Sequence, residues 1–414
     1  MPKLNPLRSV NLLAEELPNW NAELEVAAIT EESWSGEKNA PQAEAISVAS
    51  VWQMDSPESA NAALAGETGA FVYRRDGHPN ERHLAAKLAK LHCAGGAAVT
   101  AQGMSALAAV GLTLLKPGDH IAISRELYGK TSKLFLTNMQ AWGVHCETFD
   151  PTSEADLNSL AKKSIQMLIV ETMSNPTLKL PDLSAITSLC KDQNAILVVD
   201  NTFATHLLCQ PLEMGADIVV ESLSKLVNGH SDSMLGLVAT KQAEMHASIA
   251  DTISTFGLAS SPLDCYLTHR GLMSLALRLE RACNNALHLA RRLNENPHIL
   301  SVDYPGLAEH PQHDLAKAQL KQGFGWMLSF HTSLDRSGVV KLIQKLMPAV
   351  KFVPSLGDIA TTISHPATTS HRGYTEEQRL ALGISEGTIR VSCGVEPTDW
   401  LVDLIEDAIN NTFE

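Results

Sequence analysis

The first group in this chain with chemistry to offer is Lys225, which follows the apolar run Asp217-Ile-Val-Val-Glu221 within Ser222-Leu-Ser-Lys-Leu-Val-Asn-Gly-His-Ser-Asp232. A lysine desolvated at a strand end loses affinity for its proton and can form an imine with a carbonyl, whereas an isolated lysine is usually just solvated. Here Ser222 and Ser224 flank it with hydroxyl donors suited to a phosphate, and Gly229-His230 permits a tight turn. Asp200 ends the run Ala195-Ile-Leu-Val-Val199; at the tip of a buried strand it could pair with a protonated ring nitrogen, or simply cap a turn. Gly103-Met104 opens a helix directly after a strand, where free backbone N–H groups attract anions. Tyr128, in Leu127-Tyr-Gly-Lys-Thr131, could stack on a planar ring or be half-buried for packing. Arg390, in Thr388-Ile-Arg-Val-Ser392, sits in an alternating apolar run where a lone guanidinium is costly, so it calls for a carboxylate from a ligand or from a protein acid.

The elements that must position these groups follow from the same runs. Ala97–Thr100, Ile121–Ser124, Met167–Val170, Ile196–Val199 and Ile218–Val220 are short and apolar, and helical stretches such as Met104–Leu115 and Ser184–Lys191 lie between them. That alternation predicts βα units and a largely parallel sheet buried on both faces. In such folds ligands lie beyond the carboxyl ends of the strands. Ala101-Gln-Gly-Met104, Glu171-Thr172, Asp200-Asn-Thr202 and Glu221-Ser-Leu-Ser-Lys225 are the polar groups found there. A long helical stretch over Leu267–Glu295 then leads into mixed α+β texture, which places a boundary near residue 262. The division reads as an arm over residues 1–45, an α/β domain over 46–262 and an α+β domain over 263–414. An imine-forming amine, an acid for a ring nitrogen, phosphate donors and a cation for a carboxylate are together the needs of pyridoxal 5′-phosphate (PLP) chemistry.

Composition narrows the partners. The chain has 414 residues, 44% of them hydrophobic and 19% charged, and a formal net charge of −14, a globular composition with no basic excess for nucleic acid or anionic lipid. The seven cysteines are scattered and contain no C-x-x-C pair, which points to a reduced, cytoplasmic chain without structural zinc and, at the site, no metal. No apolar stretch reaches membrane-spanning length, and the first residues lack a signal-peptide pattern.

Taken in order, these segments resemble the Cys/Met-metabolism family of PLP enzymes, from about residue 45 to the C-terminus. The family includes cystathionine γ-synthases and γ-lyases, methionine γ-lyases and O-acylhomoserine sulfhydrylases. Its strand-end aspartate motif matches Val199-Asp-Asn-Thr-Phe-Ala-Thr205, and its lysine motif matches Ser222-Leu-Ser-Lys225 with Gly229-His-Ser-Asp232. The resemblance implies an aminotransferase-like (fold type I) large domain with a smaller α+β domain, and PLP as cofactor. It makes Lys225 the Schiff-base lysine and proton shuttle and Asp200 the partner of the pyridine nitrogen. Ser222, Ser224 and the Gly103-Met104 amides then hold the phosphate, and Tyr128 stacks on the ring and joins the catalytic set. Tyr73-Arg74-Arg75 matches the family's Y-x-R signature, in which Tyr73 and Arg75 reach the phosphate of a neighbouring subunit; a homotetramer, a dimer of active dimers, is the implied assembly. Ser355, Asn175 and Arg390 correspond to the elements that bind the substrate carboxylate.

Departures bear on the substrate, a small amino acid. His78 stands where the family has Asn before Pro, Lys130 where Gly or Cys follows the stacking tyrosine and its glycine, Pro354 where cystathionine-handling members often carry Glu, and Trp326 where small residues are usual. Lys130 weakens a methionine γ-lyase reading and Pro354 a cystathionine reading; Gly357–His371 looks most like the sulfhydrylase and methionine γ-lyase branches. Trp326 is expected in the core rather than facing the site. The expected reaction is γ-replacement or γ-elimination on a γ-substituted amino acid of sulfur metabolism, foremost O-acylhomoserine with a thiol or sulfide. The alternatives are a C–S γ-lyase acting on methionine or cystathionine, or β-elimination from cysteine or cystathionine. Transamination is a further rival; a scaffold without catalysis fits poorly, because Lys225, Asp200 and Arg390 are all present.

Overall fold

The computed structural model describes residues 22–30 and 41–414. Seven short strands build the first sheet: β1 (Gly96–Thr100), β2 (His120–Ser124), β3 (His145–Phe149), β4 (Met167–Glu171), β5 (Ile196–Asp200), β6 (Ile218–Ser222) and β7 (Gly236–Thr240), in the order β1-β7-β6-β5-β4-β2-β3. Only β7 runs antiparallel to its neighbours. The period of two in a strand divides its side chains between two cores. Leu168, Val170, Leu197, Val199 and Val219 enter one apolar cluster, and Met167, Ile169, Val198, Ile218 and Val220 enter the other. Burial on both faces is why these runs read as continuously apolar.

The predicted strands and helices in this region are present, with Gly103–Leu114 and Leu183–Gln193 as the two helices singled out from sequence. Strands β3 and β7 had no matching run in the sequence reading. The stretch Leu267–Glu295 is two helices, Pro262–Leu272 and Leu275–Asn294. The break lets buried Arg278 reach back, donating to the carbonyls of Gly271 (2.7 Å), Leu226 (2.6 Å) and Val227 (3.0 Å), which ties the helix pair to the segment just after Lys225.

The second sheet contains β8 (Ile299–Asp303), β9 (Met327–Thr332), β10 (Lys351–Phe352), β11 (Thr362–Ser364) and β12 (Thr388–Ser392), in the order β10-β11-β12-β9-β8. In β12, Ile389 and Val391 enter the large apolar cluster, so alternation sends Thr388, Arg390 and Ser392 to the other face. Of the proposed arm, Ala22–Ile29 is a helix whose Ala28 carbonyl accepts a hydrogen bond from Lys87 Nζ (2.9 Å); residues 1–21 and 31–40 lie outside the described set. Among the described residues no helix is long and apolar enough to cross a membrane, and all seven cysteines are free thiols.

Candidate active site

The carboxyl ends of β1, β4, β5 and β6 meet loops of the second sheet around a cavity of about 650 Å³, a volume suited to a cofactor or small ligand. Its walls include Gly103, Met104, Tyr128, Asn175, Asp200, Ser222, Ser224, Lys225, Ser355 and Arg390. Every site residue expected from sequence is therefore in one place except Tyr73 and Arg75. Those two lie outside the cavity, with exposed side chains and the Arg75 guanidinium 5.1 Å from the centre of the Tyr73 ring.

Lys225 Nζ donates to Ser355 Oγ at 3.2 Å, and no acid lies within ion-pair distance of it among the described residues. Burial, followed by the charge of Arg390, pushes its pKa down. Arg390 is buried; its Nη1 donates to Asn175 Oδ1 (3.1 Å), its Nη2 to the Ser355 carbonyl (2.7 Å), and its Nε has no partner. Burial pulls its pKa to about 10. Among the described residues no protein acid neutralises this guanidinium, which leaves a buried cation ready for a carboxylate. Ser355 touches both groups, so the amine and the cation are one residue apart. Gly357 makes that approach possible: its φ is +80°, and a Cβ there would lie 2.6 Å from Leu226 N and 3.1 Å from Lys225 Cα.

Asp200 Oδ1 accepts from Thr202 N (3.0 Å) and Thr202 Oγ1 (2.5 Å), and Thr202 Oγ1 in turn accepts from the Ser222 N–H (2.9 Å). Burial raises the Asp200 pKa to about 6, with the nearby Glu221 adding to the effect. Among the described residues no protein cation offsets it. Glu171, which entered the sequence reading only as a strand-end polar residue, also lines the cavity. Its Oε1 accepts from the Tyr128 N–H (2.7 Å), and burial together with the charge of Asp200 pushes its pKa well up.

At the start of helix Gly103–Leu114, Gln102 gives no side-chain cap, so the first N–H groups are free for an anion. Gly103 is packed against Ser222: an added Cβ would lie 2.9 Å from the Ser222 Cβ. Ser224 Oγ is already engaged with Leu235, donating to its carbonyl (3.3 Å) and accepting from its N–H (3.0 Å), so its hydroxyl must turn to serve a ligand. A buried carboxylate without a cation, an uncapped helix start, an amine with a lowered pKa and an unpaired guanidinium together fit PLP and an amino-acid carboxylate.

The departures separate by position. Lys130 and Pro354 line the cavity, together with Lys133, Phe203, Met234 and the Thr369–Tyr374 segment, none of which sequence reasoning had placed there. Trp326 does not: it is fully buried, donating Nε1–H to the Phe203 carbonyl (2.8 Å) and meeting the Phe203 ring edge-on at 5.7 Å, the core position expected of it. His78 caps helix Pro79–Leu91, its Nδ1 accepting from the Glu81 N–H at 3.2 Å.

Comparison with known proteins agrees with this geometry. The family model for Cys/Met metabolism PLP-dependent enzymes matches residues 26–413. The chain is 36% identical to an L-methionine γ-lyase of Fusobacterium nucleatum subsp. polymorphum, over 87% of this chain and 91% of that protein. It is 35% identical to an O-succinylhomoserine sulfhydrylase of Pseudomonas aeruginosa, over 88% and 91%. A cystathionine γ-synthase structure from Xanthomonas oryzae pv. oryzae superposes with a TM-score of 0.88 at 32% identity, covering 94% of this chain and 98% of that one.

Proposed function

The chain belongs to the Cys/Met-metabolism PLP-dependent enzymes, and from that premise we propose that it replaces the γ-substituent of an O-acylhomoserine with a thiol or sulfide. Bound PLP supplies an electron sink for charge that develops at the substrate Cα. Lys225 would hold the cofactor's aldehyde carbon, Asp200 its ring nitrogen, and the Gly103-Met104 amides with Ser222 and Ser224 its phosphate. Tyr128 would cover the ring. Arg390, supported by Asn175 and Ser355, would clamp the substrate carboxylate, and the Lys225 amine would take the Cα proton. The observation that carries this reading is the double contact of Ser355, whose hydroxyl receives Lys225 Nζ while its carbonyl receives Arg390 Nη2. That contact supports a proton shuttle beside a carboxylate clamp, as chemistry starting at Cα requires.

Lys130 in the cavity wall supports an acyl ester over methionine. A cation there gains from ester carbonyl oxygens or a distal carboxylate, and gains nothing from a neutral thioether. The rival γ-lyase and β-elimination readings differ in product. The enzyme is incubated with O-acetylhomoserine, O-succinylhomoserine, methionine, cystathionine and cysteine, each with and without sulfide. Sulfide-dependent formation of a new thiol amino acid from an acylhomoserine is expected; release of a 2-oxo acid and ammonia from methionine or cystathionine alone would overturn the replacement reading. Lys225→Ala is expected to lose both turnover and the visible absorption of the bound cofactor, and full turnover in that variant would refute its assignment.

A further inference from the structure

We propose that His92, His206 and Glu221 form a buried site for a divalent transition-metal ion, with Zn²⁺ the best match to the ligand set. His92 follows helix Pro79–Leu91, His206 lies in the turn Thr205–Leu208, and Glu221 is the residue of β6 before Ser222. All three are shut off from solvent, and a ligand atom from each lies within 4.8 Å of the other two. The His92 and His206 rings meet edge-on, their centres 5.3 Å apart.

Two observations favour an ion over a plain hydrogen-bonded cluster. His92 Nε2 and Glu221 Oε1 are 3.6 Å apart, too far for a hydrogen bond. That is close to the separation of roughly 3.4 Å between two ligands each about 2.0–2.1 Å from a tetrahedral ion. Both ring nitrogens of His92, both of His206 and Oε2 of Glu221 also have no hydrogen-bond partner. Each such orphan carries a desolvation cost, and a cluster of them calls for a group not supplied by the chain. An ion taking one nitrogen from each ring and Oε2 of Glu221 would satisfy three of these five atoms.

The surroundings are built to hold these ligands. Asn201 Nδ2 donates to Glu221 Oε1 (3.1 Å) and to the Cys209 carbonyl (3.1 Å), while Asn201 Oδ1 accepts from Thr172 Oγ1 (2.6 Å). This outer layer orients the carboxylate in the way that partners of metal ligands do. Gln210 links the two histidine segments, donating to the carbonyls of Leu91 (2.9 Å) and His206 (2.7 Å). The scattered cysteines argue only against a thiolate zinc site; these donors are of another kind, brought together from distant parts of the chain. The ion would tie β6 to the turn after β5, immediately behind Asp200 and Ser222, and so stiffen the strand ends of the active site without touching substrate.

The test uses the full chain with PLP, produced in zinc-supplemented medium, purified without chelator and dialysed against metal-free buffer, with metal read by mass spectrometry. One equivalent of zinc per chain is expected, falling to none in His206→Gln and Glu221→Gln. Cobalt-substituted wild type is expected to show the visible bands of a nitrogen- and oxygen-ligated ion. Wild type with no stoichiometric metal would overturn the proposal whether or not the variants fold, and so would a folded His206→Gln that kept its full equivalent. Metal content is read independently of activity, so this result and the assignment of Lys225 stand or fall separately.

Discussion

Arg390 shows how much a single side chain can be asked to do. Its burial, its two neutral partners and its unpaired Nε describe a cation held in place but not neutralised, and a substrate carboxylate is the natural counter-charge. Lysine keeps the charge but loses the planar fork. Arg390→Lys is therefore expected to lower kcat/KM by about 10- to 100-fold, since a charged hydrogen bond is worth about 1.5–3 kcal/mol and 1.4 kcal/mol is tenfold. The visible absorption of the cofactor should be unchanged; steady-state kinetics and a spectrum check both. Asp200 is the complementary case, a carboxylate whose pKa burial, helped by the charge of Glu221, raises to about 6. Asp200→Asn removes the charge but preserves the shape, and is expected to cut kcat sharply while the melting temperature holds.

The elements explain why those residues stay where they are, and two of them make predictions. The loop before β11 rests on the backbone of Lys225, and only a glycine at 357 allows the contact. Gly357→Ala combines a disfavoured φ with a clash against Leu226 N, and is expected to lower both the melting temperature and cofactor occupancy. At helix Pro79–Leu91 the cap is an imidazole whose acceptor nitrogen must be unprotonated, and burial pulls the His78 pKa to about 4. The folded state thus binds fewer protons than the unfolded chain, whose histidine titrates near 6.5. The stability contributed by this cap is present above about pH 6.5 and is lost as pH falls toward 4. His78→Asn, which caps without titrating, should reduce the fall in melting temperature across that window, as measured by thermal denaturation at a series of pH values.

At the scale of the whole molecule, Tyr73 and Arg75 are exposed and stand outside the cavity, and the family resemblance assigns them to a neighbouring subunit's phosphate. If they act there, mixing and reassembling Arg75→Ala with Lys225→Ala should restore part of the activity that neither variant has alone; no gain on mixing would place Arg75 in its own subunit's site or in none. The strand runs that end in Asp200 and near Lys225 were legible in the sequence because a doubly buried strand must be apolar along its length, and a polar residue marks its tip. Strand β3 was not legible, since its edge position leaves His145 exposed and Cys146, Glu147 and Thr148 only partly or barely covered. Nor was β7, a short Gly-Leu-Val-Ala-Thr run whose place between β1 and β6 is set by pairing rather than pattern. The break after Leu272 escaped notice because what accompanies it, the reach of Arg278 to Leu226 and Val227, is a contact between distant segments. The sequence by itself determined the class of fold and the placing of Lys225 and Asp200 at strand ends, which follow from local periodicity, and the ordered motifs carried the family resemblance that gives those two residues their proposed roles. Only the tertiary structure decided that Ser355 joins Lys225 to Arg390, that Glu171 sits in register beside Asp200 on the neighbouring strand, and that His92, His206 and Glu221 converge. Such meetings depend on strand order and on how the two sheets face each other, which local pattern along the chain does not encode.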